Sequence, residues 1–123
     1  MKKLLILVLL PFITWAQEVR IVSTQVMVCD LTYGEDCLLH KARTELILPE
    51  DATMIFIKNK VTTNGFIVLG LQPKTRENLY QYNVVGVSSG KKYLICLDLD
   101  KEYFTLSTIP FDNTLYMYYF KYL

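Results

Sequence analysis

The chain has 123 residues, of which 52% are hydrophobic and 20% are charged, and its formal net charge at neutral pH is +1. This near balance of charge excludes the strongly basic surface that a nucleic-acid partner needs, so we predict no nucleic-acid binding. The apolar content excludes a disordered chain, and the length fits one small domain.

Residues 1–16 have the features of a secretory signal peptide. Two lysines precede an unbroken apolar run from Leu4 to Leu10, and Thr14 and Ala16 fit the small-residue rule for cleavage. The apolar stretch is too short for a membrane-spanning helix, which needs roughly 20 residues. We therefore expect an exported protein, periplasmic or secreted, whose mature domain covers residues 17–123 and contains no transmembrane helix.

The mature chain is predicted to be all-β. Short β-branched and aromatic runs alternate with turn residues at intervals of about 8 to 12 residues, which is typical of antiparallel domains. The predicted strands are Val19–Val28, Cys37–His40, Thr44–Leu48, Met54–Lys58, Val61–Thr63, Phe66–Leu71, Leu79–Val87, Tyr93–Leu99, Tyr103–Thr108 and Leu115–Tyr122. The dipeptide Asn64-Gly65 predicts a type I′ hairpin turn.

Sequential hairpins of about eight strands predict an antiparallel meander. In a chain this short we expect the meander to form a small closed or nearly closed barrel, because open strand edges invite aggregation. A two-layer β-sandwich is the alternative fold.

The stretch CDLTYGEDCLLH gathers two of the three cysteines and the only histidine of the chain. Closed zinc sites usually carry cysteine pairs two to four residues apart, and Cys29 and Cys37 do not have this spacing. Calcium loops need oxygen ligands at regular intervals, which the acidic residues of this stretch lack. We predict neither a metal site nor a cofactor.

The same stretch fits a hairpin. If Gly34 takes a left-handed conformation at the end of a three-residue loop, Cys29 faces Cys37 and their side chains can reach disulfide distance. We therefore predict a disulfide between Cys29 and Cys37 and a free thiol at Cys96. A bridge from Cys96 to one of the other two is the alternative, and the facing acidic pair Asp30 and Asp36 counts against the hairpin register.

The sequence offers little for catalysis. A nucleophile would have to use His40 as its base, and no GxSxG motif surrounds any serine. Asp98, Asp100 and Glu102 lie in a tight turn, where acidic residues are common for local reasons. We predict that the protein is not an enzyme.

Residues Ser89-Gly90-Lys91-Lys92-Tyr93 match the pattern SGxxY. In these five residues the chain resembles the small periplasmic lysozyme inhibitors, which are exported β-barrels. The resemblance implies that Ser89 lies in a loop that enters the active-site cleft of a lysozyme. The second motif of that family, an aromatic residue followed shortly by Lys-Gly, is missing after Tyr93, and a simple Ser-Gly turn before a strand is the plainer interpretation.

The last predicted strand carries large side chains on both faces. Alternation places Tyr116, Tyr118, Phe120 and Tyr122 on one face and Leu115, Met117 and Tyr119 on the other. Tyrosine combines a large contact area with a polar tip, which suits protein interfaces and ligand walls. The candidate binding residues are therefore Ser89, Tyr93, Tyr116, Tyr118, Phe120 and Tyr122.

These observations predict an exported binding module whose partner is another protein or a small apolar ligand. Inhibition of a periplasmic lysozyme is an alternative function, and a small outer-membrane-associated barrel is a further one. The sequence makes no prediction of the oligomeric state.

Overall fold

A computed structural model describes residues 19–49 and 53–120, which form eight β-strands and no helix. The strands are β1 (Val19–Asp30), β2 (Asp36–Leu48), β3 (Met54–Asn59), β4 (Thr63–Leu71), β5 (Leu79–Gly86), β6 (Lys92–Asp98), β7 (Tyr103–Ile109) and β8 (Thr114–Phe120). The predicted signal peptide lies outside the described residues and stays a prediction. Within the described ranges no helix is long and apolar enough to cross a membrane.

The strands close into a barrel. Each strand pairs antiparallel with the next one along the chain, and β8 returns to pair with β1. The predicted all-β meander is therefore confirmed, and the sandwich alternative is not adopted. The ladder shifts register between Ser23 and Gln25 in β1 and between Val68 and Gly70 in β4. Such bulges bend strands and increase their twist, which helps a short sheet to close.

Side chains fill the middle of the barrel. Leu46, Val84, Ile95 and Phe104 have no solvent-exposed surface, and they belong to one hydrophobic cluster contributed by strands from all around the barrel. The ring of Phe104 also stacks on that of Tyr118, with centroids 4.7 Å apart. A barrel of eight strands is just wide enough for such a filling. The larger cavities accordingly lie at its two ends.

The β1–β2 hairpin has the predicted geometry. Gly34 adopts a positive φ of 116° in the loop, and Cys29 pairs with Cys37 in the ladder. The two cysteines form a disulfide with their Cα atoms 4.0 Å apart, which confirms the predicted bridge. Cys96 is free in the structure.

The β3–β4 turn lies earlier than the Asn64-Gly65 dipeptide predicted. The carboxamide oxygen of Asn59 accepts hydrogen bonds from the amides of Val61 and Thr62, at 2.9 Å each, so the chain already reverses there. Asn64-Gly65 instead lies within β4, and the predicted turn is wrong. Gly65 pairs with Phe56 across the ladder, and a Cβ atom at Gly65 would lie 3.3 Å from Cε of Met54 and 3.4 Å from Cε1 of Phe56.

Two runs that were predicted as separate strands form the single strand β2. Its residues Thr44–Ile47 pair with β3, whereas the described part of the chain gives Asp36–Arg43 a strand neighbour, β1, on one side only. The β1–β2 hairpin therefore extends beyond the last residue of β3, and this extension shapes the site described next.

Candidate functional site

One end of the barrel carries the features that could bind a partner. In an up-and-down meander, the connections after β1, β3, β5 and β7 all lie at the same end. These are the loop of the disulfide-linked β1–β2 hairpin at 31–35, the turn at 60–62, the Ser-Gly turn at 87–91 and the loop at 110–113. The amide of Leu31 donates a hydrogen bond to the carbonyl oxygen of Asn113 at 2.7 Å, which ties the first of these connections to the last.

A cleft of about 970 Å³ opens at this end, and we call it the end cleft. Its inner walls are apolar and come from five strands: Val26, Val28, Ile57, Phe66, Leu106, Tyr116 and Tyr118. Its outer rim is polar and comes from β2, β3 and the β3–β4 turn: Lys41, Arg43, Glu45, Lys58, Asn59, Lys60 and Thr62. The cleft combines an apolar interior with a polar mouth, as small-molecule sites usually do.

The uneven lengths of the strands explain why the cleft is open. On one side, β1 and β8 remain paired up to Asp30 and Thr114, so the wall there is continuous. On the other side, β3 ends its pairing with β2 at the Thr44–Asn59 pair. Beyond that pair, no strand among residues 19–49 and 53–120 takes the position beside β2 that β3 leaves, and the cleft opens through this gap.

Tyr118 and Tyr116 occupy different depths of the end cleft. Tyr118 belongs to the row of β8 that faces the barrel interior, where it packs against the core and stacks on Phe104. Burial, with a smaller contribution from Tyr116, raises the pKa of Tyr118 to about 12, so its phenol stays neutral. Tyr116 lies nearer the mouth and is 37% exposed. Both tyrosines can offer ring surface to a ligand.

The remaining aromatic candidates are placed differently. Phe120 is buried, 6% exposed, and lines the cavity at the opposite end of the barrel. Tyr122 lies outside the described residues. The row of Leu115, Met117 and Tyr119 faces the outside of the barrel, where the ring of Tyr119 makes an edge-to-face contact with Tyr103 at 5.8 Å.

Ser89 and Tyr93 lie at the same end as the cleft. The hydroxyl groups of Ser89 and Tyr93 are 3.2 Å apart and share a hydrogen bond, and the amide of Lys91 donates to the Ser89 oxygen at 3.2 Å. Gly90 has a positive φ of 70°, which a glycine adopts without strain. Ser89 is therefore an exposed residue of an ordered turn. Tyr93 also lines a smaller cavity that shares the walls Leu106 and Tyr116 with the end cleft.

The rim of the end cleft is rich in cations. Glu45 is the acidic residue of the rim, and it is already engaged by Arg20 at 3.1 Å and by Arg43 at 3.6 Å. In the described part of the chain, the ion pairs leave Lys41, Lys58 and Lys60 without a carboxylate within 4.0 Å. The rim thus has a positive excess next to the gap along β2.

The acidic residues of the hairpin tip remain exposed. Asp30 pairs with Asp36 across the ladder, as predicted. An oxygen of Asp30 accepts hydrogen bonds from the hydroxyl and the amide of Thr32, at 2.6 and 3.0 Å, and these bonds lower the pKa of Asp30. Both facing carboxylates of the tip are exposed to solvent. His40 lies exposed on β2.

The carboxylates of the β6–β7 turn are held in ion pairs at the other end of the barrel. Arg76 donates from Nη2 to Asp98 at 2.6 Å and from Nη1 to Asp100 at 3.1 Å. The amides of Asp100 and Lys101 donate to the second oxygen of Asp98. The hydrogen bond from Arg76 lowers the pKa of Asp98 although burial opposes it. Asp98 is therefore buried with both carboxylate oxygens hydrogen-bonded, and these contacts give it a structural role.

Cys96 lies on β6 and is half-buried. Burial and the nearby charge of Asp98 raise the pKa of its thiol. A thiol of raised pKa is a poor nucleophile at neutral pH. Residues 19–49 and 53–120 contain no group of three or more His, Cys, Asp or Glu residues that could hold a metal ion.

Comparison with known proteins assigns no family. The chain matches no protein-family model, and neither the curated proteins nor the solved structures include a significant match to it. The function is therefore argued from the site alone.

The end cleft itself was missed in the sequence. Its walls Val26, Val28 and Leu106 come from strands distant in the chain, and only barrel closure brings them together. One signal was present: the run Val19–Val28 that precedes the hairpin loop is clearly longer than the run Met54–Lys58.

Proposed function

We propose that this protein is an exported binding module that holds a small apolar ligand in the end cleft. The observation that carries the proposal is the apolar inner wall of the cleft, whose volume of about 970 Å³ is near the upper limit of about 1,000 Å³ for small-molecule pockets. The filled middle of the barrel restricts the ligand to the barrel end. The Cys29–Cys37 disulfide supports export, because disulfides persist in oxidising compartments.

Two of the candidate binding residues would contact such a ligand directly. Tyr116 and Tyr118 present their rings to the cleft, and the neutral phenol of Tyr118 adds no charge to the apolar wall. The polar mouth of the cleft at the barrel end provides the entry path. The ordered core beneath the cleft keeps the walls in place, so little conformational entropy is lost on binding.

The neutral apolar fluorophore N-phenyl-1-naphthylamine tests the proposal. We expect saturable binding at one site per chain, with enhanced emission. Val26→Glu places a carboxylate on the apolar wall and is expected to weaken binding by about tenfold or more. The matched control Gln25→Glu adds the same charge on the exposed outer face and should bind as the wild type does.

Val26→Thr keeps the shape of the side chain and serves if the glutamate variant does not fold; it should bind more weakly than the wild type. No saturable binding by the wild type, or equal binding by the Val26 and Gln25 variants, would contradict the proposal.

Inhibition of a lysozyme is a second candidate function, and the placement of Ser89 favours it. Ser89 is exposed at the barrel end, in a turn ordered by its hydrogen bond to Tyr93. A loop of this kind can enter an enzyme cleft. The purified protein should then slow cell-wall hydrolysis by lysozymes, Ser89→Ala should weaken the inhibition, and the adjacent Ser88→Ala should not. Absence of inhibition across lysozyme types would reject this function.

A further inference from the structure

The segment Asp36–Arg43 of β2 is a free strand edge. Its residues Asp36–Lys41 pair with β1 on one side, and Ala42 and Arg43 lie at the register shift. Among the described residues no strand pairs with the other side, because β3 begins its pairing only at Thr44. Closed barrels normally remove such edges, and natural proteins usually cover those that remain. A strand that pairs along this edge would cover its free backbone groups.

The geometry of the disulfide identifies the free backbone groups. The Cα atoms of Cys29 and Cys37 are 4.0 Å apart, which marks a non-hydrogen-bonded pair of the antiparallel ladder, because hydrogen-bonded pairs are separated by about 5.5 Å. Hydrogen-bonded and non-hydrogen-bonded pairs alternate along a ladder. The N–H and C=O groups of Cys37, Leu39 and Lys41 therefore point away from β1, toward the free edge.

Charge is segregated along this edge. The end of the edge at the hairpin loop is acidic, with Glu35 and Asp36, and the end near β3 is basic, with Lys41 and Arg43. The middle is apolar and exposed: Leu38 has 64% and Leu39 has 54% of its surface accessible. An antiparallel strand with the same order of charges would place its acidic end beside the basic end of the β2 edge.

We propose that a second copy of this chain pairs antiparallel along the free edge of β2 and forms a two-fold symmetric dimer. Hydrogen-bonded and non-hydrogen-bonded pairs alternate, and both residues of a pair are of the same type. A two-fold symmetric ladder must therefore place one residue opposite the same residue of the second copy. An axis at Leu38 sets Glu35 opposite Lys41 of the second copy, and an axis at Leu39 sets Glu35 opposite Arg43. Both registers match acid with base twice per dimer.

The dimer also changes the end cleft. The strand of the second copy takes the position that β3 leaves beyond Asn59, and so it becomes the missing side wall of the cleft. This inference goes beyond the proposed function and does not depend on ligand binding.

Sedimentation of the purified full chain over micromolar to millimolar concentrations tests the dimer. We expect a monomer–dimer equilibrium that shifts toward monomer at high salt, because the ion pairs across the interface are exposed. Amide hydrogen exchange at Cys37, Leu39 and Lys41 should slow as the dimer forms. Leu39→Pro should abolish dimerisation while the barrel still folds, because the lost N–H points away from β1.

Charge reversal identifies the register. Glu35→Lys should weaken the dimer by about tenfold, because both symmetric contacts become repulsive. Glu35→Lys with Lys41→Glu restores dimerisation if the axis passes through Leu38, and Glu35→Lys with Arg43→Glu restores it if the axis passes through Leu39. Lys101→Glu at the opposite end of the barrel is the matched control and should leave the dimer unchanged.

Several results would overturn the proposal. A chain that stays monomeric at millimolar concentration excludes the second copy as the partner of this edge. The second copy is then excluded even if a strand of a different protein, such as an acidic peptide, protects the three amides. A dimer that persists in Leu39→Pro uses another surface. A dimer weakened by Glu35→Lys that neither double variant restores does not have the proposed ladder.

Discussion

The filled interior of the barrel predicts that Phe104 is among the most costly residues to truncate. Phe104 has no exposed surface, and its ring stacks on Tyr118 and contacts Phe120, with centroids 4.7 and 6.5 Å away. Truncating such a phenylalanine to alanine typically costs about 3–5 kcal/mol, since apolar contacts are lost and a cavity remains. Phe104→Leu keeps most of the volume and should cost distinctly less.

This loss is large compared with the whole stability of a small domain, which is about 5–15 kcal/mol. A loss of 1 kcal/mol lowers the melting temperature of a domain of this size by roughly 4–8 °C. Phe104→Ala should therefore melt more than about 10 °C below the wild type, or fail to fold.

Urea unfolding followed by circular dichroism measures the free energy of unfolding, and an unchanged slope shows that the unfolded states are comparable. Phe111→Ala is the matched control, because Phe111 is 48% exposed and should lose little. A Phe104→Ala variant no less stable than the Phe111 variant would refute the account of a filled barrel. The interior would then be hollow enough to hold a ligand in its middle.

Three further predictions concern stability. The lowered pKa of Asp98 favours its ionised form in the folded state, so this stabilisation is complete above about pH 4 and is lost as the pH falls toward the folded pKa. Acid titration should show the wild type losing more stability below pH 4 than Asp98→Asn, and parallel curves would contradict this. Replacing Cys29 and Cys37 by serine should lower stability by about 2.5 kcal/mol or less, since the bridge spans a separation of only eight residues, and a larger loss in urea unfolding would show that the disulfide does more than fix the hairpin. Asn59→Ala removes the acceptor of the β3–β4 turn and should cost about 1 kcal/mol, whereas no measurable loss would show that Asn59 does not fix the turn.

The fold could be predicted from the sequence because local signals agreed with the tertiary structure. Alternating apolar residues marked the strands, and the position of Gly34 marked the hairpin that brings Cys29 to Cys37. The Asn64-Gly65 turn was mispredicted because a dipeptide rule ignores competing side chains. Asn59 satisfies the turn amides earlier, and Gly65 lies within β4, opposite Phe56.

The sequence placed only some of the candidate binding residues at the end cleft. Tyr116 and Tyr118 line it, whereas the same alternating pattern included Phe120, which the barrel buries at its other end. Val26 and Leu106 carry no local signal of a cleft, because only closure of the barrel brings their strands together. The difference in length between β2 and β3, which opens the cleft, becomes visible only once the register is known.

The central claim is that a small apolar ligand binds in the end cleft, and methyl-resolved NMR tests it most directly. On saturation with N-phenyl-1-naphthylamine, the methyl signals of Val26, Val28 and Leu106 are predicted to shift. Those of Leu48 and Leu99, which line the cavity at the opposite end, should stay in place. Shifts confined to the opposite end, or no shifts at all at saturating fluorophore, would contradict the account.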